Sequence, residues 1–142
     1  MAFGSKSNSD GGFPKNDRGS GSFNDYRFDL IPKSKKTVMR LADSDPHQDE
    51  LRRLLETDSG QLETAGGRRT AEEERTDAPM EVRLFTGTRV SDVVGIVPRG
   101  LEAAIDQALN RLERESKLPR IPAQIVTTRH GLRVELLMGT TR

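Results

Sequence analysis

The residue types that most often carry out catalysis are scarce in this chain. Its 142 residues include two histidines, His47 and His130, and no cysteine. His130 stands beside Gly131 in a pattern typical of a hairpin turn, without a nearby carboxylate to orient its ring, so we expect an exposed turn residue and not a general base. His47 falls in the first turn of a predicted helix, where we also expect a solvated side chain. We therefore predict no catalytic residue and a protein that is not an enzyme.

Carboxylates are plentiful, but the sequence does not gather them into a metal site or an acid–base pair. Residues 72–74 are three consecutive glutamates in a charged stretch, which offers no rigid frame for a cation. Glu113 and Glu115 are two positions apart on a predicted helix, so their side chains point in different directions. The absence of cysteine also excludes disulfides, thiol nucleophiles and thiolate metal sites. We predict neither a metal nor a cofactor.

Basic side chains are the group best suited to bind an anion. Residues 95–100 join a predicted strand to a predicted helix, where a helix N-terminus with Arg99 beside it suits a phosphate, although the segment lacks the glycine spacing of a nucleotide-binding loop. The candidate contacts for nucleic acid or another anion are Lys33, Lys35, Lys36, Arg99, Arg111, Arg114, Arg120, Arg129 and Arg133. An ordinary solvated surface is the competing interpretation, because Phe85 is the only aromatic ring after residue 79 on which a base could stack.

The aromatic residues are concentrated at the start of the chain. Five of the six precede residue 30, in a region rich in glycine and serine. One interpretation is chance within a tail, and the other is a set of spaced aromatic contacts that become ordered on a partner. The candidate partner-binding residues, which include three leucines of a predicted helix, are Phe13, Phe23, Tyr26, Phe28, Leu51, Leu54 and Leu55.

Residues 44–57 carry the clearest helix signal in the first half of the chain. Asp45 is a suitable cap, Pro46 suits the first helical position, and Gln48 follows the cap by three residues. The three leucines share one face of this helix. Since a helix of roughly 12 residues is marginal alone, this face must pack on the rest of the chain or on another protein. We favour packing within the chain.

Composition divides the chain into four segments. Residues 1–43 are predicted to be a disordered arm with aromatic and basic residues, because so polar a stretch buries too little apolar surface to offset its ordering entropy. Within this arm, residues 26–31 alternate as a strand does, either within this protein or added to a partner's sheet. Residues 44–57 form the short helix, and residues 58–79 are predicted to be a charged linker. Residues 80–142 have the apolar content of a folded domain.

The folded domain is predicted to be α+β, with one helix on a mostly antiparallel four-stranded sheet in the order ββαββ. The second strand has β-branched residues on both faces, which is typical of a central strand or of one covered on both sides. Its helix has a continuous apolar stripe, and the last two strands form a hairpin that turns at His130. The predicted elements are strands at 80–84 and 89–97, a helix at 98–117, and strands at 121–125 and 132–138.

Size and charge suggest what such a protein binds. A domain of this size hides only roughly 60% of its unfolded surface, so it needs the docked helix, an oligomer or a permanent partner. No apolar run reaches the roughly 18 residues of a membrane span, and no secretory signal is visible at the start. We predict a cytoplasmic, non-enzymatic adaptor that binds a protein partner and does not enter a membrane. Self-association and nucleic-acid binding through the arginines are the alternatives.

Overall fold

The structure, a computed structural model, describes residues 13–57, 62–65, 69–86 and 89–142. It is a mixed α+β fold, as the sequence predicts, with a sheet that is antiparallel in every pairing. The predicted four-stranded ββαββ order is wrong, since the described residues form seven strands and three α-helices. The strands are β1 (Met39–Arg40), β2 (Leu62–Ala65), β3 (Glu81–Thr86), β4 (Arg89–Val90), β5 (Gly95–Ile96), β6 (Pro122–Thr128) and β7 (Gly131–Leu136). The α-helices are α1 (Gln48–Thr57), α2 (Ala71–Arg75) and α3 (Glu102–Arg114).

The sheet closes on itself. Its strands follow the order β1-β7-β6-β2-β3-β4, and β5 also pairs with β3. Ala42, just after β1, forms an antiparallel bridge with Ile96 in β5, and both backbone hydrogen bonds of this bridge are present at 2.8 and 2.9 Å. This bridge joins the two sides of the sheet, which leaves fewer backbone groups at an open edge.

The N-terminal region contributes to the core, which corrects the prediction of a disordered arm over residues 1–43. Residues 13–43 have a defined conformation, whereas residues 1–12, including Phe3, lie outside the described residues. Met39 and Leu41 are fully buried, and β1 pairs with β7. The prediction fails because it rests on average composition. Composition does not reveal that Met39 and Leu41, on either side of Arg40, place two apolar side chains on the same face of a short strand. This segment supplies part of the apolar burial that the small domain was expected to obtain from the docked helix, an oligomer or a permanent partner.

The charged stretch at residues 58–79 also contains a strand of the sheet. β2 lies between β6 and β3 and pairs antiparallel with both, so it links the two parts of the sheet. Leu62 and Thr64 are buried there. Four residues are too few for a periodic signal to stand out among charged neighbours, so the sequence predicts a linker. A capping box of Thr70 and Glu73 starts the short helix α2 in this stretch, where the sequence predicts a linker.

The second predicted strand, 89–97, is divided into two. β4 and β5 pair with opposite ends of β3, and the residues between them leave the regular ladder. Val94, Val97 and Pro98 are nevertheless buried. Val94, Ile96 and Val97 are therefore buried, as the β-branched pattern indicates, but the single continuous strand that was predicted is wrong.

The remaining elements agree with the sequence. α1 follows a short 3₁₀ turn at Asp45–His47, and α3 is a shorter version of the predicted helix because it ends before Ser116, whose φ is +62°. The hairpin of β6 and β7 turns at residues 129–130.

One continuous apolar core includes residues of all four predicted segments, among them Tyr26, Leu51, Leu62 and Val134. None of the α-helices in the described ranges is both long and apolar enough to cross a membrane.

Candidate functional site

A cleft of about 420 Å³ lies between the N-terminal segment and the turn that leads into α3. Ala42, which joins the two sides of the sheet, is among its lining residues. Its walls combine aromatic rings, basic side chains and glycine backbone. The lining residues are Phe13, Lys15, Arg18, Gly19, Ser20, Gly21, Ser22, Phe23, Ala42, Pro98, Arg99, Gly100 and Leu101.

Two glycines allow the N-terminal wall of the cleft to approach the sheet and α3. Ser20 pairs with Arg40 through two backbone hydrogen bonds of 3.0 Å, which extends the sheet beyond β1. Gly19 has a φ of +75°, and a Cβ atom there would lie 2.5 Å from the Arg40 carbonyl oxygen. At Gly21, a Cβ atom would lie 2.8 Å from a methyl group of Leu101. Only glycine fits these two positions without a shift in the surrounding structure.

The charged side chains of the lining are all basic. Lys15, Arg18 and Arg99 contribute, and the lining includes no aspartate or glutamate. Arg99 is partly neutralised from outside the cleft, because its guanidinium lies 2.7 Å from Asp77 and 3.7 Å from Glu102. The Arg18 Nε donates to the Phe13 carbonyl oxygen at 3.1 Å, which ties the cation to the aromatic wall. The cleft therefore favours a ligand with negative charge.

A buried carboxylate of the chain itself lies at the N-terminus of α3. The Glu102 carboxylate, which is buried, accepts a hydrogen bond from the Gly100 backbone at 2.9 Å. A carboxylate at this position has the favourable interaction with the helix dipole that an external anion would otherwise have. A negative charge of the chain itself therefore stands beside the predicted phosphate site at 95–100, which weakens its attraction for an external anion.

Phe13 and Phe23 are the aromatic candidates that face the cleft. Phe13 is half-buried and Phe23 is half-exposed. A capping box fixes the short 3₁₀ helix Phe23–Asp25, since the Ser22 hydroxyl accepts from Asn24 and the Asp25 carboxylate accepts from the Ser22 backbone. The two rings offer apolar surface beside the cations, so the cleft suits a ligand that is both anionic and apolar.

Tyr26 is a core residue, which corrects its prediction as a partner contact. It is buried, and its hydroxyl has no hydrogen-bond partner. The pKa of Tyr26 is raised to about 12, mainly by burial and secondly by the negative charge of Asp25, while the nearby Arg111 guanidinium partly offsets both effects. Phe28, two residues later, is fully exposed. The strand-like alternation at 26–31 therefore marks a loop with one buried and one exposed ring.

The three leucines predicted on one face of α1 also differ in burial. Leu51 and Leu54 are fully buried in the core, which corrects their prediction as partner contacts and agrees with the favoured packing within the chain. Leu55 remains 44% exposed. Asp45 does not cap the helix; it lies 2.8 Å from Arg133. Gln48 bonds to the backbone of Leu132 in both directions and fixes α1 against β7.

Two members of the predicted arginine surface are structural, which corrects their prediction as anion contacts. Arg111 is buried and donates to the carbonyl and hydroxyl oxygens of Thr141 at 3.0 and 2.9 Å. Burial lowers the pKa of Arg111, and Arg114 lowers it further. Arg133 is also buried, beside Asp17 and Asp45.

The other predicted basic contacts differ in their surroundings. Arg120 stacks over the Phe85 ring, 4.0 Å from its centroid, and lies 3.7 Å from Glu63. The exposed members of the set are Lys33, Lys35, Lys36, Arg114 and Arg129. The fold thus brings only Arg99, of this set, to the cleft. Lys15 and Arg18 were missed because neither lies in a basic run, and only the folding of residues 13–23 onto the sheet brings them beside Arg99.

Within the residues that the structure describes, no group of three or more histidine, aspartate or glutamate side chains is arranged to hold a metal ion. No protein-family model, curated protein or solved structure matches the chain. The function must therefore be inferred from the residues of the cleft and from the loop that carries the exposed Phe28.

Proposed function

We propose that this protein is a non-enzymatic adaptor that binds an acidic, partly apolar segment of a protein partner in the cleft. The observation that supports this function is the composition of the lining: its charged side chains, Lys15, Arg18 and Arg99, are all basic, and Phe13 and Phe23 provide apolar surface. Arg99 keeps its ion pairs with Asp77 and Glu102 outside the cleft. Ligand pockets of roughly 300–1,000 Å³ typically combine an apolar wall with a few convergent polar groups. At about 420 Å³ the cleft has room for a few side chains of a peptide.

Binding of a single nucleic-acid strand is the second candidate. Its support is the same pairing of cations with aromatic rings, because phosphates bind to basic side chains and bases stack on rings. Against it, the affinity of a strand grows with the number of phosphates that are neutralised. Arg111 and Arg133 are buried in internal contacts, and Arg120 already stacks on Phe85, so these predicted contacts do not extend the cleft into a basic groove. The peptide is therefore the favoured ligand.

The two candidates can be separated with two probes and the full-length protein. A phage-displayed library of random dodecapeptides is selected on the wild-type protein, and a fluorescein-labelled oligo(dT) strand is titrated by anisotropy at several salt concentrations. Both probes are tested again with Lys15→Glu and Phe23→Ala. The matched controls are Lys117→Glu and Leu118→Ala, which change an exposed cation and an exposed apolar residue beyond the opposite end of α3.

An adaptor of this kind selects peptides that combine acidic with aliphatic or aromatic residues. Each cleft variant then weakens the peptide Kd about 10-fold or more, equivalent to about 1.4 kcal/mol, and neither control does. The nucleic-acid function is supported instead if the same variants lose oligo(dT) binding and if the logarithm of the oligo(dT) affinity falls linearly with the logarithm of the salt concentration. If neither probe binds in a manner that depends on Lys15 or Phe23, both candidates are wrong. Self-association and a cytoplasmic location remain predictions.

A further inference from the structure

Residues 26–32, which we call the Phe28 loop, present one fully exposed phenylalanine at the tip of a closed turn. An antiparallel bridge between Tyr26 and Pro32 closes the loop. Inside it, the Arg27 backbone donates to the Ile31 carbonyl and the Leu30 backbone donates to the Arg27 carbonyl, both at 2.8 Å. Leu30 has a φ of +66°, an uncommon conformation for leucine that the turn imposes. Phe28 has no contact that shields it from solvent.

The base of the loop is fixed by contacts from distant parts of the chain. Tyr26 and Pro32 are buried. The Pro32 carbonyl accepts from the Arg142 Nε at 2.9 Å, and the Leu30 carbonyl accepts from Arg111 at 3.4 Å. These contacts hold the loop in one conformation before it meets a partner. Such preorganisation lowers the entropy that is lost on binding.

Three lysines follow the loop on a second short turn, residues 33–37, which we call the lysine turn. The Ser34 carbonyl and hydroxyl accept from the Thr37 and Lys36 backbones at 3.2 and 3.0 Å, and the Lys33 backbone donates to Asp25 at the base of the loop. The turn lies against Gly139, where a Cβ atom would collide with the Lys35 carbonyl oxygen. Lys33, Lys35 and Lys36 are all exposed. An exposed aromatic ring on one hydrogen-bonded turn is thus followed along the chain by three exposed lysines on the next.

We propose that the Phe28 loop is a docking element that inserts Phe28 into an apolar socket of a folded protein partner, with carboxylates of the partner facing the lysine turn. An exposed, preorganised aromatic residue is the type that most often dominates the energy of an interface. The lysines specify the charge of the surface around the socket, because complementary charge sets the orientation and the association rate. This site uses residues separate from the cleft and does not depend on the function proposed for the cleft.

Lys33, Lys35 and Lys36 would attract an anionic lipid as well as a protein carboxylate, so it is the carboxylate of Asp29 that favours a protein over a lipid surface. Asp29 directly follows the ring and is about half exposed, 3.1 Å from Arg27, so the loop carries a carboxylate next to the group that would enter the bilayer. Anionic lipids repel such a carboxylate, and the pairing with Asp29 removes Arg27 as an attracting charge. A protein socket has no such difficulty, since a donor at its rim can bind Asp29.

The proposal is tested by replacing Phe28 with the photo-crosslinking residue p-benzoylphenylalanine in the full-length protein and irradiating it in an extract of the source organism. The same residue at position 118, which is also an exposed apolar site, is the control. The crosslinked peptide is identified by mass spectrometry, and the partner is purified for titration against wild type, Phe28→Ala and Lys35→Glu. Vesicles of phosphatidylserine and phosphatidylcholine are titrated in parallel.

We expect a crosslink that is specific to position 28, located in a folded region with apolar residues and nearby carboxylates. We also expect Phe28→Ala to weaken the partner Kd about 30-fold, as for a residue that dominates an interface, and Lys35→Glu to weaken it measurably. The control Leu118→Ala, at an exposed apolar site outside both proposed sites, leaves this affinity unchanged. The proposal is overturned by equal crosslinking at positions 28 and 118, by the absence of a crosslink at 28, by an unchanged Kd in Phe28→Ala, or by vesicle binding that requires Phe28.

Discussion

Arg133 and Asp17 lie 3.8 Å apart, and both side chains are only 1% exposed. Residues far apart in sequence meet here, and the contact fixes the N-terminal segment to β7. The Asp17 carboxylate also accepts the backbone N–H groups of Ser44 and Asp45 at 2.8 and 2.9 Å, at the entrance to α1. A single carboxylate therefore holds together the N-terminal segment, the start of a helix and a buried cation.

Asp17→Ala is expected to lower the free energy of unfolding by about 3 kcal/mol. Removing one partner of a buried ion pair leaves the other charge uncompensated, which typically costs about 3–5 kcal/mol, and Asp45 still lies near Arg133 to limit the loss. Urea denaturation followed by circular dichroism measures the change. In the control Asp29→Ala, which removes an exposed ion pair, we expect a change below about 0.5 kcal/mol. Equal losses in the two variants would contradict this role of Asp17.

Tyr26 is the only tyrosine of a chain that has no tryptophan, so its ionisation can be followed alone by absorbance near 295 nm. We expect a midpoint at a pKa of about 12 in the folded protein, against a value near 10.0 when the chain is unfolded. Because the folded pKa is the higher one, the resulting stabilisation is complete below pH 10 and is lost as the pH rises towards 12.

The matched variant for this experiment is Tyr26→Phe. Since the Tyr26 hydroxyl has no hydrogen-bond partner, the variant should be as stable as wild type at pH 7, and its stability should change less between pH 10 and 12. A folded-state midpoint close to 10 would mean that Tyr26 is exposed in solution.

Leu54 and Leu55 are adjacent in sequence, but their burial differs. Leu54→Ala is expected to destabilise the fold by about 3 kcal/mol, because it removes a fully buried side chain and leaves a cavity. Leu55→Ala, at a position that is 44% exposed, should cost less than about 1 kcal/mol. Thermal and urea unfolding of both variants measure the difference. Equal, small effects would show that α1 packs elsewhere, as a recognition helix for another protein would.

Gly139→Ala should disturb the lysine turn. A Cβ atom at Gly139 would overlap the Lys35 carbonyl oxygen and would be close to the Ser34 carbonyl oxygen at 2.7 Å, both of which are backbone atoms that cannot rotate away. We expect a loss of about 1–3 kcal/mol, the usual cost of an overpacked site. Faster amide exchange at residues 33–37 would locate the disturbance. Thr140→Ala, an exposed neighbour, is the control, and an undisturbed turn in Gly139→Ala would rule out the close packing described.

Local patterns predicted the elements in which enough residues repeat. The apolar stripe of α3, the leucine face of α1 and the hairpin at His130 all follow from short-range spacings. The strands β1 and β2 were missed because two to four residues in a polar stretch give no comparable pattern. Their pairing partners lie far away in the sequence, as Met39 and Leu136 do.

The candidate site depended still more on distant contacts. The sequence singled out Phe13, Phe23 and Arg99 as separate features, but nothing local indicated that they line one cleft together with Lys15 and Arg18. Residue type did not distinguish Arg133 from Arg129 either, although one is buried in an ion pair and the other is exposed.

The sequence by itself determined the α+β class, the absence of thiol chemistry, and the position of the longest helix and the hairpin, because these depend on residue types and short-range periodicity. The tertiary structure alone decided which aromatic, leucine and arginine side chains belong to the core and which remain available to a partner. The physical reason is that burial is a property of the whole packed chain. The same phenylalanine or arginine is stable in either environment, according to whether distant residues supply a matching apolar surface or an opposite charge.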